Sequence, residues 1–252
     1  MTLRLSRAMM AKPAKKLQVH PDQSGPKDIK DISVVDEINK CIRSSNAMPV
    51  KSYFRPSSMG RCHRQGAYHY LRTPKTSGFI DERLQRILDN GSAIHAILQD
   101  QYLRRSLNFY VAHEVEAWDR ELEVFGHIDS VFLGRTWEHE PFMVEYKSIN
   151  SNGYKRLVKP MKPHVMQANI YMRILKLRYC FIVYWNKDTQ HLREFLIEAN
   201  DEVIHDVRKW IGQVQRYLKK GKLPPYRKST CDETLCPYVP QCRRERKQEQ
   251  KK

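Results

Sequence analysis

VFGHIDSVFLGRTWEHEPFMVEYKS, residues 124–148, is the stretch of sequence that decides the fold. Its β-branched and aromatic residues lie on either side of a turn-forming segment, which predicts two successive strands. Glu145 and Lys147 are two positions apart on the second strand, so their side chains leave the same face of the sheet. Asp129 lies toward the end of the first strand and can meet them from its neighbour. The stretch therefore predicts two carboxylates and an ammonium in one small volume.

Two interpretations of this group are open. Converging carboxylates are expensive to desolvate, and a divalent cation such as Mg²⁺ or Mn²⁺ gives hard oxygen ligands a reason to meet. Phosphodiester hydrolysis needs this arrangement, because the metal polarises the phosphoryl oxygen while a lysine orients the attacking water. The alternative is an ordinary Glu-x-Lys on the solvated face of an amphipathic strand.

The residues on both sides of this stretch predict an α/β fold with a mixed central sheet flanked by helices. The predicted helix over 81–107 has apolar residues at intervals of three and four and can bend at Gly91. We expect a disordered basic arm over 1–31, one folded domain over 32–242 and a basic tail over 243–252. The other predicted helices cover 34–44, 57–71, 162–177 and 201–219, and the predicted strands cover 109–116, 121–133, 141–148, 180–186 and 191–198.

Four short motifs occur in a fixed order: GSAIH at 91–95, GHID at 126–129, EYK at 145–147 and QANIY at 167–171. Each is weak alone, but their order and spacing resemble the RecB-like branch of the PD-(D/E)xK nuclease superfamily. The resemblance covers roughly residues 57–242. It implies a restriction-endonuclease-like core and hydrolysis of DNA.

The resemblance also implies a role for each motif residue. Lys147 is the implied catalytic base or water-positioning group. Gln167 is expected to orient groups of the site, and Tyr171 to contact the nucleic acid, although their i, i+4 spacing equally suits simple packing. A lone histidine on an apolar helix face is by default a core residue. The implied metal ligands are His95, Asp129, Glu145 and the carbonyl of Tyr146.

Six cysteines without a signal peptide indicate a reducing cytoplasm, where clustered cysteines usually bind metal. Three of them, Cys231, Cys236 and Cys242, lie within twelve residues, and Cys62 opens the predicted domain. This one-plus-three arrangement resembles the iron-sulfur members of the family, namely the CRISPR-associated adaptation nuclease and the AddB nuclease domain. It implies a [4Fe-4S] cluster that joins the N- and C-terminal segments.

The cysteine spacing departs from those relatives at one point. Four residues separate Cys231 from Cys236, where the relatives typically have two, so Cys231 is the least certain ligand. Zinc is an alternative for four thiolates, and unrelated free thiols are another. Spacing does not decide between these.

The formal net charge of +17 suits a polyanionic partner, although a solubilising surplus is the simpler interpretation. Basic and aromatic residues alternate at 61–72 and 155–162, which is typical of single-strand binding or of a solvated face. No apolar stretch approaches the length needed to cross a membrane, so no membrane association is expected. The basic N-terminus leaves organellar targeting open.

We therefore expect a Mg²⁺- or Mn²⁺-dependent deoxyribonuclease of the bacterial or phage-infected cytoplasm. The resemblance implies an exonuclease acting on single-stranded DNA or DNA ends in recombination, repair, replication or phage DNA processing. Two alternatives stay open. The chain can be an inactive nucleic-acid-binding module, or a zinc-stabilised adaptor that recruits a helicase or recombinase.

Overall fold

The computed structural model describes Ser33 and residues 52–74, 82–106, 108–134, 140–233 and 236–249. The predicted arm over 1–31 and the predicted helix over 34–44 lie outside these residues. No helix in the described ranges is both long enough and apolar enough to span a bilayer.

A five-stranded mixed sheet forms the centre of the molecule, with its strands in chain order. The first three strands are antiparallel to one another, the third and fourth are parallel, and the fourth and fifth are antiparallel. The strands are β1 Phe109–Asp119, β2 Val124–Gly134, β3 Phe142–Ile149, β4 Tyr179–Asn186 and β5 Leu192–Glu198. The prediction of an α/β fold with a mixed sheet is confirmed.

The helices flank this sheet. The long second helix departs from α geometry in a π-helical segment, Ile97–Tyr102, and not at Gly91. The predictions missed a short helix directly after β3. The helices are α1 His63–Tyr70, α2 Glu82–Ala96, α3 Ser151–Lys155, α4 Lys162–Leu175, α5 Asp201–Lys219 and α6 Val239–Glu249. The bounds of α4 and α5, and of α2 together with its π-helical segment, agree closely with the sequence predictions, whereas α1 begins later than predicted and α6 was not predicted.

The parallel pair β3 and β4 dictates where α4 lies. Parallel neighbours need a long crossover connection, and residues 150–178 supply it through α3 and α4. Buried side chains of α4, such as Ala168 and Met172, pack against the strands in the main core. Ile94 and Leu98 pack with Val144 and Tyr146 in another buried cluster. Alternate residues of β3 therefore belong to different clusters, and Glu145 is free to point toward α4.

Helices α1 and α5 form a further layer with α4. Their closest approach is at Gly66, where an added Cβ would lie 2.2 Å from Cη2 of the buried Trp210. The Trp210 indole N–H donates to the carbonyl of Arg61 at 3.0 Å. A residue without a side chain is thus required where α1 crosses α5.

The C-terminal residues differ from their prediction. Residues 243–249, expected to be part of a basic tail, continue α6 and pack against α1. Arg64 is fully buried and forms ion pairs with Glu245 and Glu249, and the Tyr68 hydroxyl donates to Glu245. Helices α1 and α6 are therefore held together by polar contacts that are partly buried.

We predict that Gly66→Ala destabilises the protein by about 1–3 kcal/mol, because its methyl group overlaps the Trp210 ring. Urea unfolding measures this change. Gly212→Ala in α5 is the matched control, because nothing lies within 4 Å of its added Cβ. It should stabilise the helix by up to about 1 kcal/mol. Equal stability of the two variants would contradict the proposed packing.

Candidate active site

Three carboxylates lie at one level of the sheet, on three neighbouring strands. The antiparallel register places Glu114 of β1 and Glu145 of β3 on either side of Asp129 of β2. Backbone pairing is absent at this level: the β1–β2 register skips the Glu114 and Asp129 pair, and the β2–β3 register stops at Ser130 and Val144. The strands therefore open where the carboxylates meet.

The backbone of Glu114 is strained. Its φ of 50° lies in the left-handed region, which non-glycine residues rarely adopt within a strand. Such strain costs about 1–3 kcal/mol and persists only where surrounding contacts impose it. Gln99, buried in the π-helical segment, supplies such contacts: its side-chain amide donates to Glu114 Oε1 at 3.2 Å and to the Asp129 carbonyl at 2.8 Å.

His95 completes a group that can hold a cation. One ligand atom from each of His95, Glu114 and Asp129 lies within 4.8 Å of the others. His95 Nδ1 lies 3.6 Å from Asp129 Oδ1, while Asp129 Oδ2 accepts the backbone N–H of Tyr146 at 2.7 Å. Asp129 is thereby oriented with one oxygen toward His95.

The Tyr146 carbonyl was expected to be a metal ligand. The contacts described for the Tyr146 backbone are the N–H donated to Asp129 and a hydrogen bond with His95. The backbone of Tyr146 therefore lies at the site, and its role as a ligand stays a prediction.

Glu145 is the most buried of the three acids, with 1% of its surface exposed. Its Oε1 accepts from Lys147 Nζ at 2.5 Å and from Gln167 Nε2 at 2.6 Å. Its Oε2 is buried and has no hydrogen-bond partner. A buried carboxylate oxygen without a partner is costly, and a bound cation would remove that cost.

Burial dominates the electrostatics of this group. It raises the pKa of Asp129 above its usual range, although the Lys147 ammonium opposes that shift. Burial and then the Asp129 carboxylate raise the pKa of Glu145. Burial works against the ammonium of Lys147, but Glu145 and Asp129 outweigh it, so the pKa of Lys147 is raised. Without a cation, burial therefore shifts both carboxyls toward their protonated forms, beside a charged lysine.

Further polar side chains surround Lys147. Tyr184 is its register partner on β4, and the Tyr184 hydroxyl lies 2.8 Å from His164 Nδ1. Burial, then Lys147 and then Arg61, lower the pKa of His164 to about 3, so this histidine is neutral. Arg61 thus faces the site from the segment before α1.

Tyr171 lies on α4 with Gln167, as the resemblance implied, but its side chain is buried. It is 3% exposed, and an added Cβ at Gly126 would lie 2.5 Å from its hydroxyl. It forms a side-chain hydrogen bond with Gln167. Its position supports packing beneath the site and offers no surface for contact with nucleic acid.

The two basic stretches also differ from each other. In 61–72, Arg64 and Tyr68 are buried against α6, so they are not available to a ligand. In 155–162, Lys155, Val158 and Lys159 are exposed. Of the two stretches, 155–162 therefore has exposed basic residues as the sequence suggested, whereas residues of 61–72 are partly buried.

The four predicted cluster cysteines line one pocket. Cys62 precedes α1, Cys231 and Cys236 lie between α5 and α6, and Cys242 is in α6. All four are free thiols. Burial, followed by the nearby Cys62, raises the pKa of Cys231, which reflects how close these sulfurs are. The structure therefore brings together the predicted group.

Sequence reasoning missed two residues of the site. Glu114 lies in a strand that alternates acids with apolar residues, so its carboxylate resembled one on a solvated face. Gln99 lies in the π-helical segment, whose geometry no local pattern announces, and such segments often occur at functional sites.

The fold of this chain is similar to that of a solved structure. The sequence matches no protein-family model and no curated protein. The crystal structure of SSO0001 superposes with a TM-score of 0.50 at 15% identity, covering 82% of this chain and 95% of that chain. LHK-Exo in complex with dAMP gives a TM-score of 0.46 at 15% identity, covering 67% and 89%. The alkaline exonuclease LHK-Exo from Laribacter hongkongensis gives 0.44 at 15% identity, covering 67% and 92%.

We predict that the metal-free protein loses stability as the pH rises above the ordinary carboxyl range, about 4. The folded pKa values of Asp129 and Glu145 are raised, so the folded state binds more protons, and unfolding becomes easier as these acids ionise. Asp129→Asn should reduce this decline. Urea unfolding in chelator between pH 5 and pH 8 measures it.

The exposed Glu202→Gln in α5 is the charge control for this experiment. It should leave the decline with pH unchanged. A wild-type protein that becomes more stable over the same interval would contradict the assigned burial.

Proposed function

We propose that the protein is a divalent-metal-dependent nuclease that hydrolyses phosphodiester bonds in DNA. The observation that carries this proposal is the convergence of Glu114, Asp129 and Glu145 beside His95, with one oxygen of Glu145 left without a partner. Carboxylates and one imidazole are the donor set that Mg²⁺ and Mn²⁺ accept.

The residues fit a cation in two ways. His95, Glu114 and Asp129 offer ligand atoms close to one another, and Glu145 Oε2 needs a partner. When bound, the cation would polarise the phosphoryl oxygen and lower the pKa of bound water. We include Glu114 among the proposed ligands, beside His95, Asp129 and Glu145.

Lys147 is proposed to act on the attacking water. Its ammonium lies 2.5 Å from Glu145, and 19% of its side chain is exposed, so it can reach both the acid and an incoming phosphate. A charged lysine there donates a hydrogen bond and offsets negative charge that develops on the phosphate. Gln167 holds Glu145 in place through its amide and acts as a positioning residue.

The finer parts of the proposal rest on the motif order. The RecB-like pattern is the reason to propose an exonuclease that acts on single strands or DNA ends. The exposed basic stretch 155–162 supports a path for the strand, because Lys155, Val158 and Lys159 are exposed in the segment that leads into α4, the helix that carries Gln167.

We predict that the wild-type protein degrades end-labelled DNA with Mn²⁺, and that Asp129→Ala and Lys147→Ala each reduce the rate at least about 100-fold. Lys209→Ala, at an exposed position of α5, is the control and should retain full activity. Equal activity in all four proteins would refute the catalytic assignment. If the wild-type protein binds the DNA but does not cleave it, the alternative of an inactive nucleic-acid-binding module is favoured.

We further propose a [4Fe-4S] cluster at Cys62, Cys231, Cys236 and Cys242. The four thiols line one pocket, in keeping with the one-plus-three arrangement of the iron-sulfur proteins that the cysteine pattern resembles. Zinc bound by four thiolates is the alternative for the same pocket. Linking Cys62 to Cys231 closes a loop of about 170 residues, worth about 5 kcal/mol by chain entropy.

We predict that anaerobically purified protein absorbs broadly in the visible blue and that Cys236→Ser loses this absorption and unfolds more easily. Cys180→Ala, in strand β4 with its side chain in the main core, is the control and should keep the absorption. A colourless protein with bound zinc would contradict the iron-sulfur assignment. Metal analysis distinguishes the two results.

A further inference from the structure

A cavity of about 290 Å³ lies between α1, the last turns of α5 and the segment that follows α5. None of the proposed metal ligands, Lys147 or the cysteines lines it. Its walls include His63, Gln213, Arg216, Tyr217, Lys220 and Arg227. The cavity is large enough for one nucleotide unit, near the lower end of small-molecule sites.

The charge of this cavity is positive and unbalanced. Arg216, Lys220 and Arg227 line it, and no carboxylate does. In the described part of the chain none of the three forms an ion pair, whereas Arg208 on the same helix pairs with Glu121. Cations in a last helical turn offset the helix dipole, but Arg227 comes from a different segment and converges on the same space.

His63 contributes a polar atom that lacks a partner. Its ring stacks on Trp210, with centroids 5.2 Å apart and planes at 24°, and its Nε2 is buried without a hydrogen bond. An anionic oxygen in the cavity would supply that partner. Tyr217, which is 38% exposed, adds an aromatic surface on which a base can stack.

Segment 61–63 lies near both the cavity and the candidate active site. The charge of Arg61 lowers the pKa of His164, and Nδ1 of His164 lies 2.8 Å from the hydroxyl of Tyr184, the register partner of Lys147. The Arg61 carbonyl accepts from the Trp210 indole, on which the cavity residue His63 stacks.

We propose that this cavity, lined by Arg216, Lys220 and Arg227, binds one phosphate-bearing nucleotide unit of the substrate strand, outside the cleavage site. The proposal rests on the proposed nuclease function, because the strand is that of the substrate. The phosphate lies against the three cations and His63, and the base or sugar lies against Tyr217. Contacts of this kind fix the register of a strand without reading its sequence.

The test is binding of the full-length protein to a fluorescein-labelled single strand, measured by anisotropy without added divalent cation. We compare wild type with Arg216→Glu/Lys220→Glu and with Lys209→Glu/Lys219→Glu, which changes the same charge at exposed positions of α5 outside the cavity. The cavity variant should bind about 10-fold or more weakly, and the control within about 3-fold of wild type. The slope of log Kd against log salt should fall by about 1 in the cavity variant only.

Equal weakening by the two double variants would overturn the proposal, since it would show only an effect of net charge. If Arg216→Glu/Lys220→Glu is destabilised, the binding measurement is repeated with Arg227→Gln, a milder change at a cavity residue outside any helix. Competition by dAMP and by inorganic phosphate shows which part of the strand occupies the cavity. Displacement of the labelled strand indicates a terminal nucleotide, and the absence of displacement indicates an internal phosphate.

The two proposals fail separately. If strand affinity depends on the cavity but no divalent cation supports cleavage, the cavity proposal stands and the nuclease proposal is refuted. If cleavage requires Asp129 but both double variants weaken strand binding equally, the nuclease proposal stands and the cavity proposal is refuted.

Discussion

The structure depends on holding three carboxylates at one level of a sheet, where the strands give up their mutual hydrogen bonds. Glu114, Asp129 and Glu145 repel one another when ionised, and burial further penalises the charges of Asp129 and Glu145. A fold tolerates such a group only if other contacts outweigh that repulsion. Here the neighbouring helices and strands supply side chains that contact the three carboxylates.

Each layer contributes one partner to that arrangement. Helix α4 supplies Gln167 to Glu145, and the π-helical segment after α2 supplies Gln99 to Glu114. Strand β3 supplies Lys147, whose ammonium partly offsets the acids. The parallel pairing of β3 with β4 matters because it requires the crossover that carries α4 over the site. The topology of the sheet and the chemistry of the site therefore have the same origin.

Sequence patterns predicted what local physics determines. Strands β2 and β3 and helices α4 and α5 were placed correctly, because their apolar periodicity reflects burial on one face. The convergence of Asp129, Glu145 and Lys147 followed from strand alternation and adjacency. Glu114 was missed because its strained backbone breaks the alternation of β1. Arg64 and Tyr68 were assigned to a surface, since their partners Glu245 and Glu249 are far away in sequence and no local pattern contains them.

The large sequence separation of these partners affects how the chain folds during translation. Tyr68 reaches Glu245 across 177 positions and Arg64 reaches Glu249 across 185. At about 5–20 residues per second, translation needs roughly 10–40 seconds to supply the second half of each pair. During that interval α1 has emerged but cannot bury its arginine. The domain therefore completes its packing only after its last helix leaves the exit tunnel, and a nascent chain stalled before α6 exposes both polar groups to solvent.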